Sequence, residues 1–315
     1  MSTIFISLAS YCDVLLKSTI QSAYDNACFP DRLVFGVVEQ AANNSIAELP
    51  EHIQKQIKYV LIDPVQARGV CWARSLVQSL YADEDWFLQV DAHTLFDPHW
   101  DVQLIASWTD CLKASQKPLL SSFLHSFEVV NGEFKKHVYT SNVIANTVTK
   151  DTAFGKSLAD LAFTSVFVDT PTPVRGFHAA AGFIFAPGAF VYDVPYDPHM
   201  YFYGEEHSLS LRAFTYGWDI FHPRKLPLYH YYYNPDMEIK RPHHWGDYDA
   251  QRSAKWWELD ERAKLRFEKL ISGTPLGVYG LGGVRTVEDY ADFSGIDYKS
   301  RAVHPKAYVG PWHKE

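Results

Sequence analysis

The first third of the chain alternates between short apolar runs and segments with helical spacing. The apolar runs are IFISLAS (4–10), RLVFGVVEQ (32–40), YVLID (59–63) and DWFLQVD (85–91), and the helical segments include 69–81 and 100–115. Continuous apolar strands separated by helices indicate a parallel sheet covered on both faces. Ligands of such sheets bind beyond the carboxyl ends of the strands. The alternation therefore predicts an α/β fold with a site at one edge of the sheet.

Length and composition limit the class of protein. A chain of 315 residues with 47% hydrophobic residues fits one large globular domain or two smaller ones. A net charge of −8 argues against a general nucleic-acid binder. No apolar run approaches ~20 residues, and nothing resembles a signal peptide. The four cysteines form no CxxC pair, which is typical of reduced thiols and favours a cytoplasmic location.

The rest of the chain is less regular. Asn131-Gly132 predicts a hairpin turn within 118–134, whereas residues 140–175 show no clear pattern. A strand is expected in 178–190, helices are expected in 204–219 and 254–272, and the polar, aromatic segment 229–248 is expected to form a loop over a site. Two helix starts have capping signals, namely Asp13 after the first strand and the pair Thr286 and Asp289 near the C-terminus.

The strand at 85–91 ends in Asp91, Ala92 and His93. Residues i and i+2 of an extended segment point the same way, so Asp91 and His93 can face one ion. A carboxylate with an imidazole suits Mn²⁺, Zn²⁺ or Fe²⁺ better than Ca²⁺. The alternative is that Asp91 caps a turn and His93 is an ordinary loop histidine. A third ligand must come from elsewhere, and the candidates in order of preference are His230, then His222, then His243 or His244.

Several motifs together resemble a known family. In order, they are ARGVCWAR (67–74), LQVDAHTLF (88–96), FYGEEHSLSLRAFTYGWDIFHP (202–223), YHYY (229–232) and GVYGLGGVRTVEDY (277–290). This order resembles the GlcNAc-transferase family that includes Skp1 polypeptide GlcNAc-transferases and is related to the polypeptide GalNAc-transferases. The resemblance implies a GT-A fold with a Rossmann-like mixed sheet, a UDP-sugar donor, a divalent cation such as Mn²⁺ and retention of anomeric configuration. We expect a catalytic domain over 1–250 and a C-terminal helical extension over 251–315.

The resemblance also implies roles for individual residues. Those implied are metal binding by Asp91, His93 and His230, uridine contacts at Ala9, Ser10 and Tyr11, a phosphate contact at Arg74, a small residue beside the sugar at Gly182, and sugar or acceptor contacts at Glu205 and Glu206. Arg74, Glu205 and Glu206 are the expected catalytic residues. Arg68 lies at the start of the helix at 69–81, where backbone N–H groups favour anions, and is expected to contribute to donor binding. Arg74 could instead be a surface charge of its helix. The two glutamates could instead only compensate the helix dipole, a contribution of roughly 0.3–1 kcal/mol.

The expected function is metal-dependent transfer of a sugar, GlcNAc by resemblance, to an acceptor hydroxyl. One alternative is a metal hydrolase on the same Asp/His/His site, with Glu205 or Glu206 as base. Another is a non-catalytic sugar-binding protein that uses Trp245, Trp256 and Trp257. The acceptor could be a protein, a glycan, a lipid-linked sugar or a nucleic-acid base, and nothing in the sequence distinguishes them.

Overall fold

The computed structural model describes residues 2–246 and 248–313. Within them the strands are β1 (Ile4–Tyr11), β2 (Leu33–Gln40), β3 (Ile57–Ile62), β4 (Trp86–Asp91), β5 (Thr94–Phe96), β6 (Pro118–Ser121), β7 (His125–Val130), β8 (Glu133–His137), β9 (Val143–Val148), β10 (Phe163–Val168), β11 (Val174–Gly176), β12 (Phe183–Pro187), β13 (Asp219–His222), β14 (Leu228–His230), β15 (Ile296–Asp297) and β16 (Ala302–Val303). The helices are α1 (Leu16–Asn26), α2 (Glu51–Gln54), α3 (Val70–Gln78), α4 (Trp100–Cys111), α5 (Ala189–Asp193), α6 (Glu205–Thr215), α7 (Trp256–Ile271) and α8 (Val287–Ser294).

The largest sheet has the strand order β11-β13-β6-β12-β4-β1-β2-β3. Strands β3, β2, β1 and β4 are mutually parallel, as the alternation predicts, whereas β12 runs antiparallel to β4. Ala9 is in register with both Val38 and Asp91, so three strands end at one edge of the sheet. The predicted mixed α/β fold is confirmed.

Side chains of the sheet alternate between two cores. Ile4 and Ile6 of β1 face a core shared with α1 and α4, and Phe5 between them faces a core shared with α3 and α6. This alternation follows from the period of two along a strand. Burial of both faces explains why the strands read as continuous apolar runs.

A second sheet, with the order β5-β14-β7-β8, lies at the carboxyl end of β4. Strand β14 pairs antiparallel with β5 and places His230 opposite Thr94. The backbone N–H of Tyr231 also donates to the carbonyl of His93 at 3.0 Å. A residue far along the chain is thereby fixed beside the D-x-H segment.

Some sequence expectations differ from the structure in detail. The Asn131-Gly132 turn joins β7 to β8, so the hairpin begins later than residue 118, and both turn residues have positive φ. The indistinct segment 140–175 contains the antiparallel pair β9 and β10. The strand expected over 178–190 is limited to β12.

The expected cap at Asp13 is also modified. Helix α1 begins at Leu16 after Leu15, which makes no side-chain capping hydrogen bond. Asp13 instead accepts the Leu15 N–H at 2.9 Å and supports the turn before the helix. The capping box formed by Thr286 and Asp289 is present at α8.

Helices α7 and α8 lie in the region predicted to be a C-terminal extension. Their buried side chains, Phe267 and Tyr290 among them, pack in the core that also contains residues of α3 and α6. The division at residue 250 stays a prediction. No helix in the described part of the chain is long and apolar enough to cross a membrane.

Candidate active site

A cavity of about 730 Å³ opens at the carboxyl edge of the parallel strands. Its volume lies in the usual range for a small-molecule or cofactor site. It is lined by Ala9, Tyr11, Asp13, Gln40, Gly69, Val70, Asp91, Ala92, His93, Tyr201, Phe202, Tyr203, His230, Tyr233, Arg241, Pro242, His243, His244 and Trp245. One wall is therefore the sheet edge, and the other is the irregular segment 231–246, which we call the covering loop.

Asp91, His93 and His230 converge at the floor of the cavity. One ligand atom from each residue lies within 4.8 Å of the others. His230 Nε2 is 3.0 Å from Asp91 Oδ2 and 2.9 Å from His93 Nε2. Among the described residues this group fits a single ion, and its two imidazoles and one carboxylate suit Mn²⁺, Zn²⁺ or Fe²⁺.

Local structure explains this convergence. The Ala92 side chain is buried and packs in the core, so Asp91 and His93 are the residues of this segment that present ligand atoms to the cavity. Thr94 Oγ1 donates to the Asp91 carbonyl at 2.8 Å and tightens the turn after β4. Burial, with the neighbouring His93, lowers the pKa of His230 to about 4. The His230 ring is therefore neutral near pH 7, as a metal ligand must be.

Arg74 lies behind Asp91 and is buried. Its Nη2 donates to Asp91 Oδ1 at 2.6 Å, and its Nη1 donates to Glu205 Oε1. Burial alone would raise the pKa of Asp91, but the hydrogen bond from His230 and the charge of Arg74 hold it well below its usual range. Asp91 is thus kept ionised and oriented. Arg74 is not part of the cavity lining in this structure.

The two glutamates at the start of α6 have different surroundings. The Glu205 side chain is 6% exposed and paired with Arg74, whereas that of Glu206 is 32% exposed. Glu206 Oε1 accepts the Ala181 N–H at 2.8 Å, and its Oε2 lies 3.3 Å from Nε2 of the buried His178. Neither glutamate is part of the cavity lining. The partly exposed carboxylate of Glu206 is nevertheless better placed to accept a hydrogen bond from a ligand than that of Glu205, which is buried and engaged with Arg74.

Glycines provide space where a side chain would intrude. A Cβ on Gly182 would lie 3.1 Å from Asp91 Oδ2 and 4.0 Å from His230 Cδ2. A Cβ on Gly69, which precedes α3 with φ of 97°, would lie 2.4 Å from the ring of Tyr201. The lack of a side chain at Gly182 leaves space beside Asp91 and His230, and the lack of one at Gly69 leaves space for the Tyr201 ring at the cavity wall.

Another part of the cavity lies at the carboxyl ends of β1 and β2, where it is lined by Ala9, Tyr11 and Gln40. The Arg252 guanidinium lies 5.4 Å from the centroid of the Tyr11 ring and donates to its hydroxyl. Ser10 is buried beneath this surface, and its carbonyl accepts a hydrogen bond from Gln40 at 2.9 Å. Arg68 is exposed over Trp72, outside the lining.

The covering loop contributes aromatic rings and one cation. Trp245 stacks on His243 with ring centroids 4.8 Å apart, and Phe202 packs edge-on against Trp245 at 5.2 Å. Arg241 Nη1 lies 2.6 Å from His93 Nε2, and its Nη2 donates to the Tyr231 carbonyl at 2.9 Å. The loop is therefore tied to the metal-ligand group through a guanidinium.

The structure separates the alternative third ligands from the group. His222 is buried in the sheet between the Ser121 carbonyl, 2.7 Å from Nδ1, and the Asn146 N–H, 3.2 Å from Nε2. His244 bonds to the Tyr201 hydroxyl at 2.8 Å, and His243 stacks on Trp245 in the covering loop.

Sequence reasoning missed one contact of the site. Asp13 Oδ2 lies 2.7 Å from Nδ1 of His93. The rule that points to Asp91 after β4 also applies here, because Asp13 follows β1 at the same sheet edge. The capping pattern, however, supplied a sufficient local explanation for it.

The glycosyltransferase (GlcNAc) family model matches residues 42–300 of the chain. A search of curated proteins finds no match. Among solved structures, GalNAc-T7 with UDP, GalNAc and Mn²⁺ is similar with a TM-score of 0.60 and 13% identity, over 96% of this chain and 58% of that one. S. aureus TarS 1-349 in complex with UDP-GlcNAc gives a TM-score of 0.43 and 14% identity, over 88% of this chain and 77% of that one. The first likeness shows the GT-A fold.

Proposed function

The chain belongs to the glycosyltransferase (GlcNAc) family, and from that premise we propose that it transfers a sugar from a UDP-sugar to an acceptor hydroxyl with a divalent cation. The observation that carries this proposal is the Asp91, His93 and His230 group at the floor of a cavity large enough for a nucleotide sugar. The GalNAc-T7 structure of the same fold contains UDP, GalNAc and Mn²⁺. We propose GlcNAc as the transferred sugar because the matching family is a GlcNAc glycosyltransferase family.

Asp91, His93 and His230 would hold the cation against the leaving diphosphate. When bound there, the cation supplies Lewis-acid stabilisation of the charge that develops on the leaving phosphate. Arg74 keeps Asp91 ionised and aimed into the cavity, and Glu205 holds Arg74 from the other side. In this proposal Arg74 and Glu205 act through Asp91 and do not touch the donor.

Glu206 would bind the donor sugar. Its Ala181 and His178 contacts fix the carboxylate, and its partial exposure leaves acceptor capacity for a sugar hydroxyl. Gly182 leaves space for the sugar beside Asp91. Uracil would lie at the Ala9 and Tyr11 end, where the Tyr11 ring offers a packing surface.

The proposed chemistry is front-face transfer with retention. The bond between the anomeric carbon and the β-phosphate oxygen breaks, and a bond forms to the acceptor oxygen on the same face. The acceptor proton passes to the leaving phosphate oxygen. The protein's own residues supply orientation and a preorganised electrostatic environment, and no covalent nucleophile is needed.

The covering loop would close the donor site. A cation on His93 Nε2 would repel the Arg241 guanidinium, which lies 2.6 Å from that nitrogen in this structure. We therefore propose that Arg241 moves when the cation binds. The negative diphosphate is a favourable new partner for a guanidinium.

Calorimetry with UDP, with and without Mn²⁺, tests the proposal. We expect UDP binding that Mn²⁺ strengthens, together with slow Mn²⁺-dependent hydrolysis of UDP-GlcNAc when no acceptor is present. Other UDP-sugars in the same hydrolysis assay would identify the preferred donor. Absence of UDP affinity under both conditions would contradict the proposal. A cytoplasmic location remains a separate prediction.

A further inference from the structure

Asp13 contacts a proposed cation ligand without being one of the ligand group. Its Oδ2 lies 2.7 Å from Nδ1 of His93, and its side chain is only 6% exposed. We propose that Asp13 is a positioning residue, which fixes the tautomer and the orientation of His93 so that Nε2 is presented to the cation. This inference rests on the proposed metal-dependent transfer.

The chain holds the Asp13 carboxylate at both oxygens. After β1, Cys12 has a φ of 48°, which turns the backbone sharply at the sheet edge. Asp13 Oδ1 then accepts the Leu15 N–H at 2.9 Å, so the local turn engages one oxygen. The other oxygen is left directed at His93. The carboxylate is therefore oriented before any ligand arrives.

Donor and acceptor chemistry assigns the tautomer of His93. An ionised carboxylate only accepts hydrogen bonds, so Nδ1 beside Asp13 must carry the proton. Arg241 Nη1 lies 2.6 Å from Nε2 and 2.9 Å from Nδ1, and a guanidinium only donates. Because Nδ1 is engaged by Asp13 at 2.7 Å, the nearer nitrogen, Nε2, presents its lone pair. Nε2 is also the nitrogen that faces His230 Nε2 at 2.9 Å. The lone pair is thus directed to the place where the ligand atoms converge.

Helix α1 fixes the backbone around the same histidine. Thr19 Oγ1 donates to the Ala92 carbonyl at 2.9 Å and accepts the Thr94 N–H at 2.9 Å. These two bonds hold the residues before and after His93. Both the ring and the backbone of His93 are consequently attached to the segment that begins with Asp13.

His230 differs from His93 at the ring nitrogen that faces away from the ligand group. Its buried Nδ1 has no hydrogen-bond partner among the described residues. The two histidines therefore differ, because the carboxylate of Asp13 contacts His93 at the nitrogen opposite the ligand group, whereas the carboxylate of Asp91 contacts His230 at Nε2, within the ligand group. Partners of this kind commonly change metal affinity by about 10- to 100-fold when they are removed.

A purely structural role for Asp13 can be distinguished by a matched control. Asp63 follows β3 at the same sheet edge and accepts the Val65 N–H at 2.9 Å, in the same i to i+2 arrangement. Among the described residues, its carboxylate makes no hydrogen bond or ion pair with a histidine. Replacement of either aspartate by alanine removes a similar turn, but only Asp13→Ala removes the bond to His93.

Calorimetric titration of the full-length protein with Mn²⁺ alone tests the inference. We expect Asp13→Ala to weaken Mn²⁺ binding by about 10- to 100-fold and Asp63→Ala to leave it unchanged. Asp13→Asn keeps an acceptor oxygen and should give an intermediate affinity. Equal Mn²⁺ affinity of the wild type and a folded Asp13→Ala variant would overturn the role of Asp13 alone. A wild type that binds no Mn²⁺ would overturn the proposed function as well.

Nitrogen NMR of the metal-free wild type provides a test that needs no variant. Long-range ¹⁵N–¹H correlations report which ring nitrogen of His93 carries the proton, with a His93→Gln sample used for assignment. We expect the Nδ1–H tautomer for His93 at neutral pH. A predominant Nε2–H tautomer would overturn the inference.

Discussion

The two sides of the cavity are built differently. On the sheet side, Arg74 of α3 donates a hydrogen bond of 2.6 Å to Asp91 at the end of β4 and another to Glu205 of α6. On the loop side, Tyr233, Arg241 and Trp245 belong to an irregular segment. The rings of Tyr233 and Trp245 are exposed. The sheet side has few alternative arrangements, whereas a loop with exposed rings can reorganise at little cost.

The difference indicates a division of labour. The sheet side can hold charge in a fixed geometry, which electrostatic catalysis requires. The loop side can admit the donor, cover it and release the product. We therefore expect changes on the sheet side to affect stability and turnover, and changes on the loop side to affect mainly donor affinity.

The largest expected effect is loss of turnover in Asp91→Ala. Removal of this ligand should lower Mn²⁺-dependent turnover on the order of 10³-fold, because charge on the leaving diphosphate is no longer compensated. Steady-state kinetics measures the loss of turnover, and thermal unfolding of the same sample shows whether the variant is still folded. Substantial activity in a folded Asp91→Ala protein would show that the metal assignment is wrong.

Arg74→Met tests whether the sheet side is a coupled charge network. The buried Glu205 would lose its cation, and the free energy of unfolding should fall by about 3 kcal/mol. The loss in free energy of unfolding should be smaller at pH 5 than at pH 8, because protonation of Glu205 removes the unpaired buried charge. Denaturant titration measures both values.

The double variant Arg74→Met/Glu205→Leu is the matched control for that change. It should recover most of the stability, because no uncompensated buried charge remains. It should not recover Mn²⁺ affinity, since Asp91 still lacks its guanidinium. Recovery of both properties would mean that Arg74 does not act through Asp91.

The protein should lose stability as the pH falls below about 6.5, through the buried histidines of the sheet side. Burial lowers the pKa of His207 to about 3, so the unfolded chain binds more protons between the two pKa values. His207 alone should lower the free energy of unfolding by about 2 kcal/mol between pH 7 and pH 5. Denaturant titrations of the wild type and His207→Gln should show a flatter pH dependence in the variant. An identical slope would contradict this assignment.

The smallest expected effect lies on the loop side. Trp245→Ala removes an exposed ring, so stability should change by less than about 0.5 kcal/mol. The KM for the UDP-sugar should rise by up to about tenfold with little change in kcat, if stacking helps to cover the donor. Trp257→Ala, another exposed tryptophan, is not part of the cavity lining and serves as the control. A fall in kcat alone would remove the distinction between the two sides.

The sequence predicts the sheet side well because its signals are local. A buried strand followed by Asp91 and His93 specifies both the element and the edge at which the ligands lie. His230 is ranked first because it follows an apolar run and opens an aromatic segment, and the family resemblance supports that rank. Its actual position depends on β14 pairing with β5, which no local pattern specifies. Arg74 could be placed near the donor, but its pairing with both Asp91 and Glu205 depends on contacts 17 and 131 residues apart.

The loop side and Asp13 were less predictable for physical reasons. Segment 231–246 has no hydrophobic period, so its path depends on contacts such as Arg241 with Tyr231. Asp13 has a local role in a turn that fully explains its residue type, and its contact with His93 spans 80 residues. A local pattern cannot report a second, distant use of the same side chain.

Pulsed electron paramagnetic resonance of Mn²⁺ with UDP and the wild-type protein tests the central claim most directly. The claim is that the Asp91, His93 and His230 group and the diphosphate hold one ion between them. Protein labelled with ¹⁵N-histidine should show nitrogen couplings from His93 and His230, together with ³¹P couplings from the nucleotide. Phosphorus couplings without any histidine coupling would mean that the ion is carried by UDP alone, which would contradict the claim.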